Sequence, residues 1–223
     1  MTITEMIYTA TTWGIPLVLA VVIHEVAHGL VAYFLGDATA KDDNRLTLNP
    51  LAHVDWVGSV FLPATLLFMS APFLIGWAKP VPIDYGNFKK PNRDMALVAL
   101  AGPVSNILLA ILFVLVGKHI GSVFEVAGPS YQWVMENVHN GVVFSLMLAI
   151  FNMIPILPLD GGKILLCLLP VEYARKYQRL EPFGGLMIMV LLFSPMLLGI
   201  NVLGWIFGTF FPYLYYLIEK ITL

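Results

Sequence analysis

The chain has 223 residues, 59% of them hydrophobic and only 12% charged; a water-facing domain carries about 25% charged residues. That deficit excludes an ordinary soluble domain and makes lipid the main solvent. The net charge of −2 offers no basic field for nucleic acid, and the single cysteine, Cys167, excludes an internal disulfide.

Met1 to Thr12 lacks the basic stretch that opens a cleaved leader, so the first apolar segment is expected to stay in the mature protein. Six apolar segments follow in order: 12–36, 57–77, 94–117, 140–169, 183–199 and 202–218. Residues 183–218 carry no charge at all, and a span needs about 20 mostly apolar residues. The expected fold is an all-α polytopic membrane protein of about five to six transmembrane helices, organised as a single membrane-embedded domain over residues 1–223.

The second segment is expected to differ from the rest. It holds Pro63 and Pro72 and runs into Gly76-Trp77-Ala78-Lys79-Pro80-Val81-Pro82, which cannot continue a helix. Cytoplasmic loops are enriched in Lys and Arg. If segment 57–77 dips in and returns, every Lys and Arg except Lys118 falls on one side. If it crosses, Lys41, Arg45 and Lys118 all face outside. The charge bias favours a re-entrant insertion, with the N-terminus outside and the C-terminus in the cytoplasm; the flanks of that insertion are open to β-pairing with each other.

The first segment carries His24-Glu25-Val26-Ala27-His28. Side chains four apart share a helix face, so both imidazoles can reach one metal ion, with Glu25 placed as a general base beside it. The surrounding residues, Ile15 to Ile23, are apolar. An ionisable group costs roughly 2.5–3.5 kcal/mol at the centre of a spanning helix, and so points to function. The competing expectation is a core histidine pair satisfied by hydrogen bonds. A catalytic zinc site also wants a third protein ligand. Asp160 is the other carboxylate deep in an apolar run, within Asn152-Met153-Ile154-Pro155-Ile156-Leu157-Pro158-Leu159-Asp160-Gly161-Gly162. Two prolines break the backbone there, and irregular backbone at membrane depth must be buried in protein or line a watery cavity. Asp160 either points into a polar site or caps the helix that follows.

These pieces resemble the site-2 protease family of intramembrane zinc metalloproteases. The likeness lies in His24 to Gly29, Asn49-Pro50-Leu51-Ala52-His53-Val54-Asp55, Gly76 to Pro82, Ala101-Gly102-Pro103-Val104-Ser105-Asn106, and Asn152 to Gly162. The resemblance implies one zinc ion per chain held by His24, His28 and Asp160, with Glu25 as base and Asn106 and Asn152 lining the site. It implies membrane-spanning protein substrates, hydrolysed in regulated intramembrane proteolysis, and an integral protein of a prokaryotic cell membrane. Unlike larger members of that family, residues 1–223 are expected to hold no PDZ or CBS domain.

Smaller candidates remain. Asn106 is placed either to bond a substrate carbonyl or oxyanion, or to join helices. His53 is either a supporting group near the site or a solvated loop histidine. Extended backbone near Arg45–Leu51 or Lys79–Ile83 is suited to receive an unwound substrate as an added strand. Two other function classes compete: a zinc-binding membrane scaffold without peptidase activity, against which Glu25 speaks, and a zinc transporter, which would want ligands staggered along a path.

Overall fold

A computed structural model describes residues 2–69, 76–123 and 128–222. In chain order the α-helices are α1 (Ile3–Phe34), α2 (Thr39–Asp42), α3 (Leu62–Phe68), α4 (Pro91–Val123), α5 (Pro129–Asn152), α6 (Asp160–Leu168), α7 (Val171–Gln178), α8 (Gly184–Leu192), α9 (Ser194–Leu198) and α10 (Val202–Ile221). Among the described residues four of them, α1, α4, α5 and α10, are long and apolar enough to cross a membrane. The protein is an all-α polytopic membrane protein.

Helix ends follow from local chemistry. Thr2 and Glu5 form a reciprocal capping box at the start of α1, which satisfies two donors that a helix start leaves open. At the other end, Gly36 takes a left-handed backbone with φ of 112°. Its N–H bonds Tyr33 O and that of Asp37 bonds Ala32 O, a Schellman stop that reverses the chain. The carboxylate of Asp37 then ties this corner down. It accepts from the backbone N–H of Thr39 at 3.1 Å and of Asp84 at 2.8 Å, and from the Asn87 amide at 2.8 Å.

Helix α4 is the centre of the bundle and packs on α1, α5 and α6. One buried cluster, Ala32, Phe88, Met95 and Val98, joins the end of α1 to the start of α4. A second, Ala110, Val142, Leu146 and Ile218, joins α4, α5 and α10. Polar stitches add to the α1–α5 contact: Trp133 Nε1 donates to Thr11 Oγ1 at 2.9 Å, and Asn140 donates to the Thr12 carbonyl at 2.8 Å.

The apolar segments divide unequally. Segment 183–199 becomes the short helices α8 and α9, parted at Phe193, and 140–169 stops at Asn152 before the prolines. Segment 57–77 forms a π-helical turn over Trp56–Phe61 and then α3. Its stretch 70–75, with Pro72, lies outside the described residues. The two ends of that segment meet. Trp77 N–H donates to Gly58 O at 3.3 Å, Ser59 Oγ to Trp77 O at 2.8 Å, and Lys79 N–H to His53 O at 2.9 Å. The chain therefore returns to where it left, as a re-entrant insertion does. The expected β-pairing of its flanks is not formed among the described residues: 45–49 and 76–84 run without strand structure. Pro80 and Pro82 lack the N–H groups a ladder needs.

Candidate metal centre

His24 and His28 lie one turn apart on α1, both buried. Their rings meet edge to face with Nε2 atoms 3.1 Å apart. Gly102 makes room for them: a Cβ there would come within 2.5 Å of both imidazoles. Helix α4 thus passes close enough to seal the pair from lipid.

Asp160 completes the group. Its Oδ2 stands 3.1 Å from His24 Nε2 and 3.2 Å from His28 Nε2. Leu159, not Asp160, occupies the cap position of α6, so the capping alternative is not the one adopted. Gly161 and Gly162 allow this placement, since a Cβ on them would meet the backbone of Met153 at 2.2 Å and of Ile156 at 2.5 Å. The first turn of α6 is wedged beneath the broken segment, and Asp160 is aimed across at α1.

The donor set suits a metal ion on two counts. Tetrahedral zinc with bonds of about 2.0–2.1 Å leaves about 3.3 Å between neighbouring ligand atoms, close to the spacing found here. Asp160 Oδ2 is also a buried atom with no hydrogen-bond partner, which is costly unless something else occupies it. The outer nitrogens are prepared for the same role. His28 Nδ1 lies 2.7 Å from the Val98 carbonyl, an acceptor, so the hydrogen sits on Nδ1 and Nε2 keeps a free lone pair. As placed, the Asn106 amide nitrogen faces His24 Nδ1 at 3.1 Å while its Oδ1 has no partner. Amide oxygen and nitrogen are nearly alike in shape. Turned over, the amide accepts from Nδ1–H, satisfies its orphaned oxygen and frees His24 Nε2.

Glu25 stands beside the group and not in it. Its Oε2 accepts from Val81 N–H at 2.9 Å. Lys163, one turn along α6, donates to the other oxygen of Asp160 at 3.3 Å. The sequence marks Val81 only within the Lys79–Ile83 stretch, not as a partner of Glu25, and does not mark Lys163 as a site residue. The available signal was Pro80-Val81-Pro82, in which only Val81 has an N–H to offer.

The other two candidates have hydrogen-bond partners of their own. Asn152 donates to Leu148 O, one turn back on its own helix, at 3.0 Å. His53 is buried, not solvated; its Nε2 lies 2.9 Å from the Thr47 carbonyl and its own carbonyl accepts from Lys79. It braces the 45–55 loop against the strap over residues 76–84.

An all-helical membrane fold around two imidazoles, a carboxylate and a neighbouring glutamate has the make-up of a membrane zinc metalloprotease. Comparison with known proteins agrees. A family model described as "Peptidase family M50" matches residues 117–194, a stretch that includes Asp160. A Bacillus subtilis (strain 168) protein named "Putative zinc metalloprotease YwhC" is 38% identical over 184 residues, covering 82% of this chain and 80% of its own. A Mycolicibacterium smegmatis protein named "Putative zinc metalloprotease Rip2" is 26% identical over 175 residues, 78% of this chain and 64% of its own. No solved structure matches the chain. The chain belongs to peptidase family M50, the site-2 protease family.

Proposed function

We propose that this protein hydrolyses peptide bonds of membrane-spanning protein substrates within or beside the bilayer, as regulated intramembrane proteolysis requires. The observation that carries the proposal is Glu25: a carboxylate held by Val81 N–H at 2.9 Å, next in sequence to one of three clustered, buried donor groups yet outside the cluster. A scaffold that only held metal would have no use for it.

His24, His28 and Asp160 would hold zinc, which when bound supplies Lewis acidity toward the scissile carbonyl and the attacking water. Glu25 takes the proton from that water and delivers it to the leaving amine. The Val81 hydrogen bond fixes one carboxylate oxygen while the proton moves. Asn106 and the Val98 carbonyl hold the imidazoles in the tautomer that ligation needs. A peptide bond inside an intact helix is shielded by its own hydrogen bonds, so the substrate must unwind locally before it is cut.

The test is Glu25→Gln, which keeps the shape of the site and removes the proton acceptor. Cleavage of a single-span reporter in proteoliposomes should fall by about 10²–10⁴-fold, with zinc content unchanged at one per chain. A variant as fast as the parent would sink the mechanism. A parent that holds zinc and cuts no membrane substrate would favour the scaffold. The proposed orientation, N-terminus outside and C-terminus cytoplasmic, predicts that cysteines at Leu48 and Tyr85 label from the cytoplasmic side alone.

A further inference from the structure

A second candidate site lies on the far side of Val81 and Lys163. There α6, α7, the strap over residues 76–84 and the start of α4 line a half-open cavity of about 580 Å³. Ligand sites typically measure about 300–1,000 Å³. Val81 and Lys163 both line it, and each also grips a carboxylate of the metal centre, Glu25 and Asp160 respectively. A single layer of residues therefore separates the cavity from the cluster. Its wall at Leu157 and Pro158 is firm, because Gly184 packs against that backbone: a Cβ there would meet the Leu157 carbonyl oxygen at 1.9 Å.

The lining is mixed. Asn92, Lys163, Arg175 and Glu181 stand among Leu157, Leu166 and other apolar groups. Lipid tails have no use for such donors and acceptors. An unwound peptide does, because its N–H and C=O groups have lost their helical partners and cannot be left in hydrocarbon. Scission at the metal centre requires such a stretch, and that stretch needs a polar path from the centre to water.

We propose that this cavity is a peptide-binding subsite, which receives the extended substrate segment adjoining the scissile bond. The proposal rests on the peptidase reading and adds the place where the polar flank of the substrate lies.

Cys167 offers the probe. It lines the cavity, is half-buried, and is the single cysteine of the chain. In the Glu25→Gln protein, single-span substrates carrying one cysteine at successive positions are mixed with the enzyme and oxidised. Disulfides to Cys167 should form within a short window beside the scissile bond and nowhere else along the span, and should vanish in Cys167→Ser. As a second measurement, Ala174→Trp fills the cavity from α7. It should raise KM for the reporter at least about tenfold with kcat and zinc content unchanged, the signature of lost substrate binding. If the parent cleaves the reporter, yet no position cross-links and Ala174→Trp keeps the parental KM, the subsite is wrong and the peptidase reading stands. Disulfides between the Cys167 residues of two chains, in place of substrate, would make the cavity a contact between copies. A parent that cleaves nothing removes both proposals together.

Discussion

His24 and His28 stand on an unbroken helix, whereas Asp160 begins a short helix that follows the irregular stretch Met153–Leu159. The first pair needs only the period of α1 to share a face, plus a glycine on α4 to let the backbone pass. The third group depends on contacts far apart in sequence. Gly161 and Gly162 must fit beneath the Met153–Ile156 backbone, and Gly184 must pack on Leu157. Half of the centre is thus built by local geometry and half by tertiary packing. The packed half has the least tolerance, because its neighbours are backbone atoms that cannot rotate away.

The largest expected effect breaks the packed half without touching a ligand. Gly161→Val puts a branched side chain where even a Cβ would lie 2.2 Å from the Met153 carbonyl oxygen. Overpacking of this kind typically costs about 1–3 kcal/mol and shifts backbone. Asp160 should then miss the imidazoles, and bound zinc should fall as far as in Asp160→Ala. Metal analysis of the two purified variants checks this. Full zinc in Gly161→Val would show that the wedge does not aim the carboxylate.

The next effect probes the helix-borne half. Asn106→Leu fills similar space and removes the acceptor for His24 Nδ1–H. Loss of such a supporting partner typically weakens metal binding about 10–100-fold. Asn152→Ala should leave zinc affinity at the parental value, since its amide bonds Leu148 O on its own helix. Competition against a chelator measures both. Equal losses in the two variants would mean that Asn106 has no special hold on the imidazole.

The same contrast explains what the sequence made legible. Spacing alone paired His24 with His28, and burial cost marked Asp160, because a helical period and an ionisable group in an apolar run are local facts. Segment lengths found α1, α4 and α10 for the same reason, but segment 140–169 caught only the second half of α5, which begins at Pro129, and ran on into α6. The internal breaks were harder. Residues 183–199 are apolar throughout, and the division at Phe193 leaves no composition signal beyond Ser194-Pro195. Val81 was marked only within the Lys79–Ile83 stretch, and its hold on Glu25 escaped notice because it acts through its backbone; Lys163 reads as a topology charge. Asp37 reads as a loop carboxylate until the chain folds and brings Asp84 and Asn87 to it.

Asp37 supplies a third, smaller test, at the end of the helix-borne half. Burial opposes its ionisation, but hydrogen bonds from Thr39 and Asn87 and from the backbone of Asp84 outweigh it and hold its carboxyl below the usual 3.8. A carboxyl depressed on folding adds stability that is present above its unfolded pKa and lost as pH falls through the folded one. Asp37→Asn should therefore cost about 1 kcal/mol at neutral pH, the difference between charged and neutral hydrogen bonds. The gap to the parent should close as pH drops below 3.8. Unfolding midpoints in detergent across that range check it. A gap that stays constant with pH would mean that shape and not charge holds the corner.

The smallest effect concerns Lys163, which belongs to the packed half yet reaches toward water. Its ammonium donates to Asp160 Oδ1 at 3.3 Å, and its side chain is 32% exposed. Oδ1 points away from the shared donor cluster, so the lysine favours binding through Oδ2 alone and steadies the carboxylate from behind. Its exposure limits what that is worth. Water screens the pair, and exposed ion pairs typically contribute about 0.2–1 kcal/mol. Lys163→Met keeps the aliphatic stem against its neighbours and removes only the charge. Zinc affinity should drop at most about fivefold, the equivalent of 1 kcal/mol, well short of the loss in Asn106→Leu. Chelator competition on the two variants in parallel decides the order. A larger loss in Lys163→Met than in Asn106→Leu would reverse the comparison: the charge behind Asp160 would then matter more to the metal than the hydrogen bond behind His24.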